Sequence, residues 1–166
     1  MASTKEIRTR MKSVEQTLKI TNAMYLIASS NLRKAKAQLE QAAPYFTKMH
    51  ITIADILHRS PELSHDFLDR RPEIPAEQRK VGYVVLSGDK GLAGAYNHNV
   101  LKLAERRLRE TANHKLFVVG LVGRAYFQER DIPFEEDFSY VVQNPTMSRA
   151  RDISDELVQQ FMDREL

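Results

Sequence analysis

The chain has 166 residues, of which 42% are hydrophobic and 28% charged, as is typical of globular rather than disordered proteins. It contains no cysteine, which excludes disulfides, thiolate metal sites and thiol nucleophiles. No apolar run approaches the length of a membrane span, and the N-terminus lacks the apolar region of a secretion signal.

The net charge of +3 is unevenly distributed along the chain. Residues 1–59 hold ten Lys/Arg against four Asp/Glu, whereas the remainder is net acidic. This asymmetry indicates either a basic arm that seeks an acidic surface or a solvated helix face.

An apolar residue recurs at alternating spacings of four and three from Ile7 to Ile56, broken only at Thr21. A seven-residue repeat of this length predicts a coiled-coil helix that supercoils left-handedly against a second helix, for which the chain offers no obvious candidate. Ser3 and Glu6 predict a capping box at its start. The rhythm continues past Pro44, which predicts a kink rather than an end. The predicted seam comprises Ile7, Met11, Val14, Leu18, Ala28, Leu32, Ala35, Leu39 and Ala42.

Around Met24 the predicted helix is apolar on nearly all sides. Ile20, Ala23, Leu26 and Ile27 lie off the seam. A helix that is apolar all round at one level is enclosed there, either by more than one partner or by the globular domain of the same chain.

Residues 60–80 carry three prolines without sustained periodicity and are predicted to form a linker. The rest, 81–166, alternates between strand and helix patterns, which predicts an α/β fold with a doubly wound, Rossmann-like parallel sheet. Three strands make a marginal core, and a further strand is expected after the last helix, so we expect this domain to be incomplete. The predicted elements are a strand at 81–86, a helix at 95–112, a strand at 116–119, a helix at 124–130, a strand at 138–142 and a final helix begun by Asn144 and Pro145.

The turn after the first strand, residues 87–97, is rich in glycine and could cradle a phosphate. Its glycines are spaced GxxGxxG instead of GxGxxG, and no acidic residue ends the second strand. Lys90 precedes Gly91 rather than Ser or Thr. These details favour a tight structural turn, and we predict no cofactor.

The sequence offers no candidate for catalysis, metal binding or nucleic-acid recognition. The five histidines show no HxxxH pairing, and no serine lies in a GxSxG elbow. A basic region that reads a DNA groove would be polar throughout, whereas this helix carries an apolar seam. We therefore predict a non-catalytic chain without metal, cofactor or nucleic-acid partner.

Two segments together resemble a known family. KEIRTRMKSVEQTLKITNAMYLIASSNLRKAK (5–36) and VGYVVLSGDKGLAGAYNHNV (81–100) are similar to the gamma subunit of F-type ATP synthase, with its KITxAM helix and SDRGLCGxxN turn. The resemblance covers essentially the whole chain. Asn22 stands where the family commonly has Lys, and Ala93 replaces the Cys of the family turn.

The resemblance implies the rotor of a proton-translocating complex at the cytoplasmic face of the bacterial membrane. The implied partners are the alpha and beta subunits, the epsilon subunit, the c-ring and the C-terminal helix of the same subunit, which pairs antiparallel with the N-terminal helix. Because that helix and later strands are absent here, we expect a fragment or an early-terminated product. The resemblance places six residues against the catalytic ring: Ile20, Ala23, Met24, Ile27, Arg33 and Lys34.

Two other readings of the residues stay open. One is a small nucleotide-dependent enzyme with a helical oligomerisation arm. The other is a free-standing coiled-coil adaptor.

Overall fold

A computed structural model describes residues 3–69, 71–143 and 145–166. The chain divides into two compact units that separate after Leu63. A long helix makes up nearly all of the first unit, and the second contains a parallel sheet with helices. This architecture confirms the predicted fold class.

Helix α1 spans Thr4–Arg59, a length of 56 residues or about 84 Å of helix axis. It continues through Pro44, although proline removes one backbone donor from the ladder. Ser3 is its N-cap, as predicted, but the Ser3 hydroxyl accepts from the backbone N–H of Lys5 at 3.4 Å instead of that of Glu6. The kink near Pro44 stays a prediction.

The segment predicted as a linker contains two short 3₁₀ turns, at Asp66–Leu68 and Ala76–Gln78. From Ser64 onward its residues belong to the second compact unit. Arg71 within it is buried.

The sheet consists of β1 (Val81–Leu86) and β2 (His114–Val119). The strands are parallel and paired from Val81 with His114 to Leu86 with Val119. Helix α2 (Tyr96–Glu110) makes the crossover that a parallel pair requires. In β2 the apolar residues 116–119 are all buried, as is typical of a strand covered on both faces. β1 coincides with an apolar, β-branched run, but Val81, Val84 and Leu86 are exposed, so β1 is not buried on both faces in this chain.

Alternate residues of β2 enter two separate clusters, because successive strand side chains point to opposite faces. Leu116 and Val118 pack with apolar residues of α2 and of α3 (Leu121–Gln128). Phe117 and Val119 form the other cluster, against which residues of α4 (Met147–Met162) pack. Helices therefore cover both faces, which is the doubly wound arrangement.

The predicted third strand at 138–142 is wrong in its extent. Among the described residues it is reduced to one isolated parallel bridge between Val119 and Tyr140. Ser139 N donates to Asp137 O at 2.7 Å, and Gln143 N donates to a side chain at 2.7 Å. These bonds take the backbone on both sides of Tyr140 out of a ladder.

Two helix starts also differ from prediction. Helix α3 begins at Leu121, three residues before the predicted start. Asn144, the predicted cap of the last helix, lies outside the described residues. Helix α4 begins at Met147, and Thr146 caps it by accepting from Arg149 N, so Pro145 is not its first residue.

Two charged side chains of the second unit have well-defined partners. The Tyr126 hydroxyl donates to Glu105 at 2.7 Å and lowers the pKa of that carboxyl, with a further contribution from Arg109. Lys115 lies 2.8 Å from Glu135, which raises the pKa of the ammonium group.

Candidate interaction surface and the glycine-rich turn

The predicted seam lies on the surface of α1 along its whole length. No residue of α1, all of which the structure describes, is buried. Leu32 and Leu39 are 58% and 67% exposed, and every other seam residue is exposed except the half-buried Ala42. An apolar stripe on one helix is stable in water only when another apolar surface covers it, so this stripe is the candidate interaction surface.

Thr21, the polar residue that interrupts the repeat, does not place an unsatisfied hydrogen-bonding group on the seam. The Thr21 hydroxyl donates to Thr17 O at 2.9 Å, within the same helix. A partner that packs on the seam therefore meets a satisfied hydroxyl and a methyl group, and the apolar repeat is continuous in effect.

The residues that the resemblance assigns to the catalytic ring lie on the same helix and are exposed. Ile20, Met24 and Ile27 are each more than half exposed, so large apolar side chains surround the helix at this level. Arg33 and Lys34 follow within two turns and are exposed. We call Ile20, Ala23, Met24 and Ile27 the apolar collar. The collar and the basic pair, Arg33 and Lys34, lie on one continuous stretch of α1.

The glycine-rich turn between β1 and α2 is closed by its own side chains. Gly88 N donates to Asn97 Oδ1 at 2.8 Å. The Asp89 carboxylate accepts from Leu121 N at 3.2 Å through Oδ1 and from Gln143 N at 2.7 Å through Oδ2. One aspartate therefore ties the turn to the start of α3 and to the loop after Tyr140.

This arrangement supports a structural turn rather than a phosphate site. A phosphate cradle needs backbone N–H groups at a helix N-terminus that are available to the ligand. Here Asn97 accepts from Gly88 N inside the turn and Asp89 accepts from Leu121 N at the start of α3, so both side chains bind the backbone of the chain itself. A second anion beside the Asp89 carboxylate would be repelled. The buried Ser87 hydroxyl likewise accepts from Gly123 N at 2.8 Å.

We expect Asp89→Ala to lower the free energy of unfolding of the α/β unit by about 1–2 kcal/mol, because two backbone donors lose a charged acceptor. Chemical denaturation followed by the near-UV signal of the tyrosines measures it. Lys90→Ala is the matched control, because the Lys90 side chain is next to Asp89 in the sequence but accepts no such bonds. We expect it to change the free energy of unfolding by no more than about 0.5 kcal/mol. Equal effects of the two substitutions would contradict the role assigned to Asp89.

The sequence pattern did not reveal the part played by Asp89. The only available signal was an aspartate placed directly after a glycine in a strand-to-helix turn, where short acceptors often bind backbone donors. The two residues whose backbone N–H groups donate to Asp89 are Leu121 and Gln143. They lie 32 and 54 residues further along the sequence, so a local pattern cannot indicate these bonds.

The described residues contain neither a cluster of metal ligands nor a membrane-spanning helix. Across 3–69, 71–143 and 145–166, no three His, Asp or Glu side chains are grouped so that they could hold a metal ion. None of the helices in these described ranges combines the length and the apolar character that a membrane span needs.

Comparison with known proteins gives a consistent result. The family described as ATP synthase matches residues 3–166. The ATP synthase gamma chain of Ruminiclostridium cellulolyticum is 44% identical over 163 residues, and that of Acetivibrio thermocellus is 43% identical over 166 residues. The gamma chain of Acetobacterium woodii, named sodium ion specific, is 36% identical over 160 residues.

The matches span nearly all of this chain but only part of each relative. They cover 98%, 100% and 96% of this chain and 55%, 55% and 51% of the three relatives. The chain therefore spans about half the length of the curated relatives that it matches.

Proposed function

Because the chain belongs to the ATP synthase gamma-chain family, we propose that it serves in the central stalk of an F-type ATP synthase, as part of the rotor shaft. The observation that carries the proposal is the exposed apolar seam of α1. A 56-residue helix with this surface suits a shaft that is covered by a second helix and by a surrounding ring.

The proposed mechanism is mechanical. The shaft turns inside the ring of alpha and beta subunits, and its asymmetric surface forces the catalytic sites through their binding states. This role requires a stiff element and a contact surface but no reactive side chain on the shaft. We therefore propose that the chain is non-catalytic and that the assembled complex synthesises or hydrolyses ATP.

Each partner corresponds to a different part of the chain. The seam, represented by Leu32 and Leu39, pairs with a C-terminal helix of the complete gamma subunit. The collar around Met24 faces the catalytic ring, and Arg33 and Lys34 face acidic surface of the beta subunits, as opposite charges favour. The α/β unit lies near the c-ring and the epsilon subunit, which places the protein at the cytoplasmic face of the bacterial membrane as a peripheral component.

We propose the same division for the domains: a shaft helix at 1–59 with a kink near Pro44, a linker at 60–80 and an α/β domain at 81–166. From Ser64 onward the linker belongs to the same compact unit as the α/β domain. Protons are the coupling ion expected from the resemblance. One relative, the gamma chain of Acetobacterium woodii, is named sodium ion specific. Membership of the family therefore supports rotary coupling and does not select the ion.

A chimera tests the proposal directly. Residues 3–166 replace the matched region of the Ruminiclostridium cellulolyticum gamma chain, which is co-expressed with the alpha and beta subunits of that organism. We expect the chimera to co-purify with both subunits and to support ATP hydrolysis, because the surfaces of the shaft are complementary to the ring. The unmodified gamma chain is the reference.

A second chimera, in which residues 3–59 are replaced by an unrelated helix of equal length without a heptad repeat, provides the matched control. It should fold but fail to assemble. If the first chimera folds and binds neither subunit, the central-stalk proposal is wrong and the adaptor reading gains support.

A further inference from the structure

Arg71 occupies an unusual position in the second unit. It is only 7% exposed, and it is the single buried charged side chain within the ranges that the structure describes. Its Nη2 donates to Phe161 O near the C-terminal end of α4, and its guanidinium lies 4.4 Å from the centre of the Phe161 ring. These contacts hold the side chain in one place.

The positive charge of Arg71 is not compensated. Among the described residues no carboxylate oxygen lies within 4.0 Å of its guanidinium nitrogens. None of the four residues outside the description is acidic. The Arg71 Nε atom is buried and has no hydrogen-bond partner in the described part of the chain. A buried ion without a counter-ion is costly, so Arg71 is the candidate in this unit for a group that binds an anion.

Lys115 is a second positively charged side chain of this unit that is partly removed from water, and it can be compared with Arg71. It is partly buried and contacts two carboxylates, those of Glu135 at 2.8 Å and Glu165 at 3.4 Å. Arg71 is more deeply buried and contacts none. Arg71 is therefore the exception among the cations of this unit that are removed from water.

Arg71 also lines a pocket of ≈ 390 Å³ in the α/β unit. Arg79 and Lys80 contribute further positive charge to its walls, whereas Arg164 is paired with Glu73 at 3.7 Å. Ile74 and Phe161 contribute apolar surface. Both acidic residues of the wall already have a partner other than the Arg71 guanidinium. Asp69 Oδ1 accepts from the backbone N–H of Arg71 at 2.8 Å, and Glu165 pairs with Lys115.

We propose that this pocket binds a carboxylate carried on a short apolar stem, such as the glutamate side chain of a protein partner, with the Arg71 guanidinium as its anchor. A planar guanidinium matches a carboxylate in shape and charge. The apolar wall accommodates the methylene groups that precede the carboxylate, and the neighbouring cations attract it to the opening.

Butyrate is a suitable probe because it has one carboxylate and a three-carbon stem. Thermal unfolding of the 166-residue chain is followed by the near-UV circular dichroism of its tyrosines, four of which lie in the α/β unit. We expect butyrate at ten times its dissociation constant to raise the midpoint by about 5 °C over sodium chloride of equal ionic strength. Neutral butanamide should have no effect.

Three variants assign the effect to the pocket. Arg71→Met should abolish the butyrate-dependent shift, and Arg71→Lys should reduce it because the planar fork is lost. Arg106→Met, on the exposed surface of α2 and outside the pocket, should keep the full shift. Should Arg71→Met fail to fold, the Nε–Hε resonance of Arg71 in the unmodified chain, recorded by NMR during titration, replaces that variant and should move saturably with butyrate.

Three results would overturn the proposal. One is the absence of any butyrate shift in the unmodified chain by both measurements. Another is an equal shift in Arg71→Met. The third is a shift with inorganic phosphate at equal ionic strength but not with butyrate, which would make the pocket a phosphate site instead.

Discussion

Substituting Leu32 or Leu39 by aspartate is expected to lower the affinity of the shaft assembly by about a hundredfold or more. Each side chain belongs to the seam, where a covering helix would remove it from water. An ionised carboxylate without a partner in such an interface costs a few kcal/mol, and each 1.4 kcal/mol corresponds to about a factor of ten. Co-purification of the chimeric gamma chain with alpha and beta subunits, quantified against subunit concentration, measures the loss.

Ala37→Asp provides the matched control. Ala37 is exposed, and the heptad that places Leu32 and Leu39 at a positions places it at f, on the opposite side of the helix. The substitution carries the same charge and a comparable cost in helix propensity. We expect it to leave seam pairing nearly unchanged.

The helicity of the isolated chain separates a lost interface from a lost fold. Because α1 buries none of its residues, neither leucine contributes to a core within the chain, and both aspartate variants should keep the far-UV spectrum of the unmodified chain. Assembly that is equally strong in Leu32→Asp, Leu39→Asp and Ala37→Asp would show that the partner does not cover the seam.

The long helix could be predicted because its signals are local and repeated. The apolar residues from Ile7 to Ile56 recur at nearly the spacing of one helical turn, which predicts a helix, and Ser3 marks its start. Continuity through Pro44 followed from the unbroken phase of the apolar residues on both sides. What covers the helix could not be derived in this way, since the repeat specifies a partner's shape and not its identity.

In the α/β unit, the strands were predictable where they consist of apolar residues. β1 matches its apolar run residue for residue, and β2 begins two residues earlier than predicted, at His114. His114 and Lys115 are polar but pair with β1 through their backbones, which sequence patterns do not report. The segment around Tyr140 has strand-like composition, yet hydrogen bonds to distant groups limit it to one bridge.

The roles of Asp89 and Arg71 depend on distant contacts and were not predictable from local sequence. Arg71 lies in a segment whose prolines and charges indicated a linker, where a charged side chain is ordinarily solvated. Its burial results from Phe161, ninety residues further along the chain. Such contacts require the folded structure, because no periodic signal connects the two positions.

Gly120→Ala is expected to destabilise the α/β unit by about 3–5 kcal/mol, a large part of the stability of a unit of this size. Gly120 follows β2 with φ of 100° and ψ of 139°, a backbone conformation that residues other than glycine rarely adopt. A Cβ there would lie 2.6 Å from Ser87 Oγ and closer still to Ser87 O. Denaturant unfolding followed by the near-UV tyrosine signal measures the change.

Ser87 cannot move aside to relieve this clash. It is 2% exposed, and its hydroxyl accepts from Gly123 N at 2.8 Å and lies 3.2 Å from Val119 O, to which it donates. Its backbone N–H also donates to Val119 O at 2.8 Å. Movement of Ser87 would therefore break bonds that join β1, β2 and the first turn of α3, so the strain has no inexpensive route of relaxation.

Two other glycines separate the conformational and steric parts of the cost. Gly91 has no positive φ and nothing within 4 Å of an added Cβ, so Gly91→Ala should change stability by no more than about 0.5 kcal/mol. Gly94 has φ of 57° and equally open surroundings, so Gly94→Ala should cost about 1 kcal/mol through its backbone alone. If Gly120→Ala costs no more than Gly94→Ala, the close approach of Gly120 to Ser87 does not constrain the fold. A graded series would instead show that this contact fixes how the two strands and α3 meet.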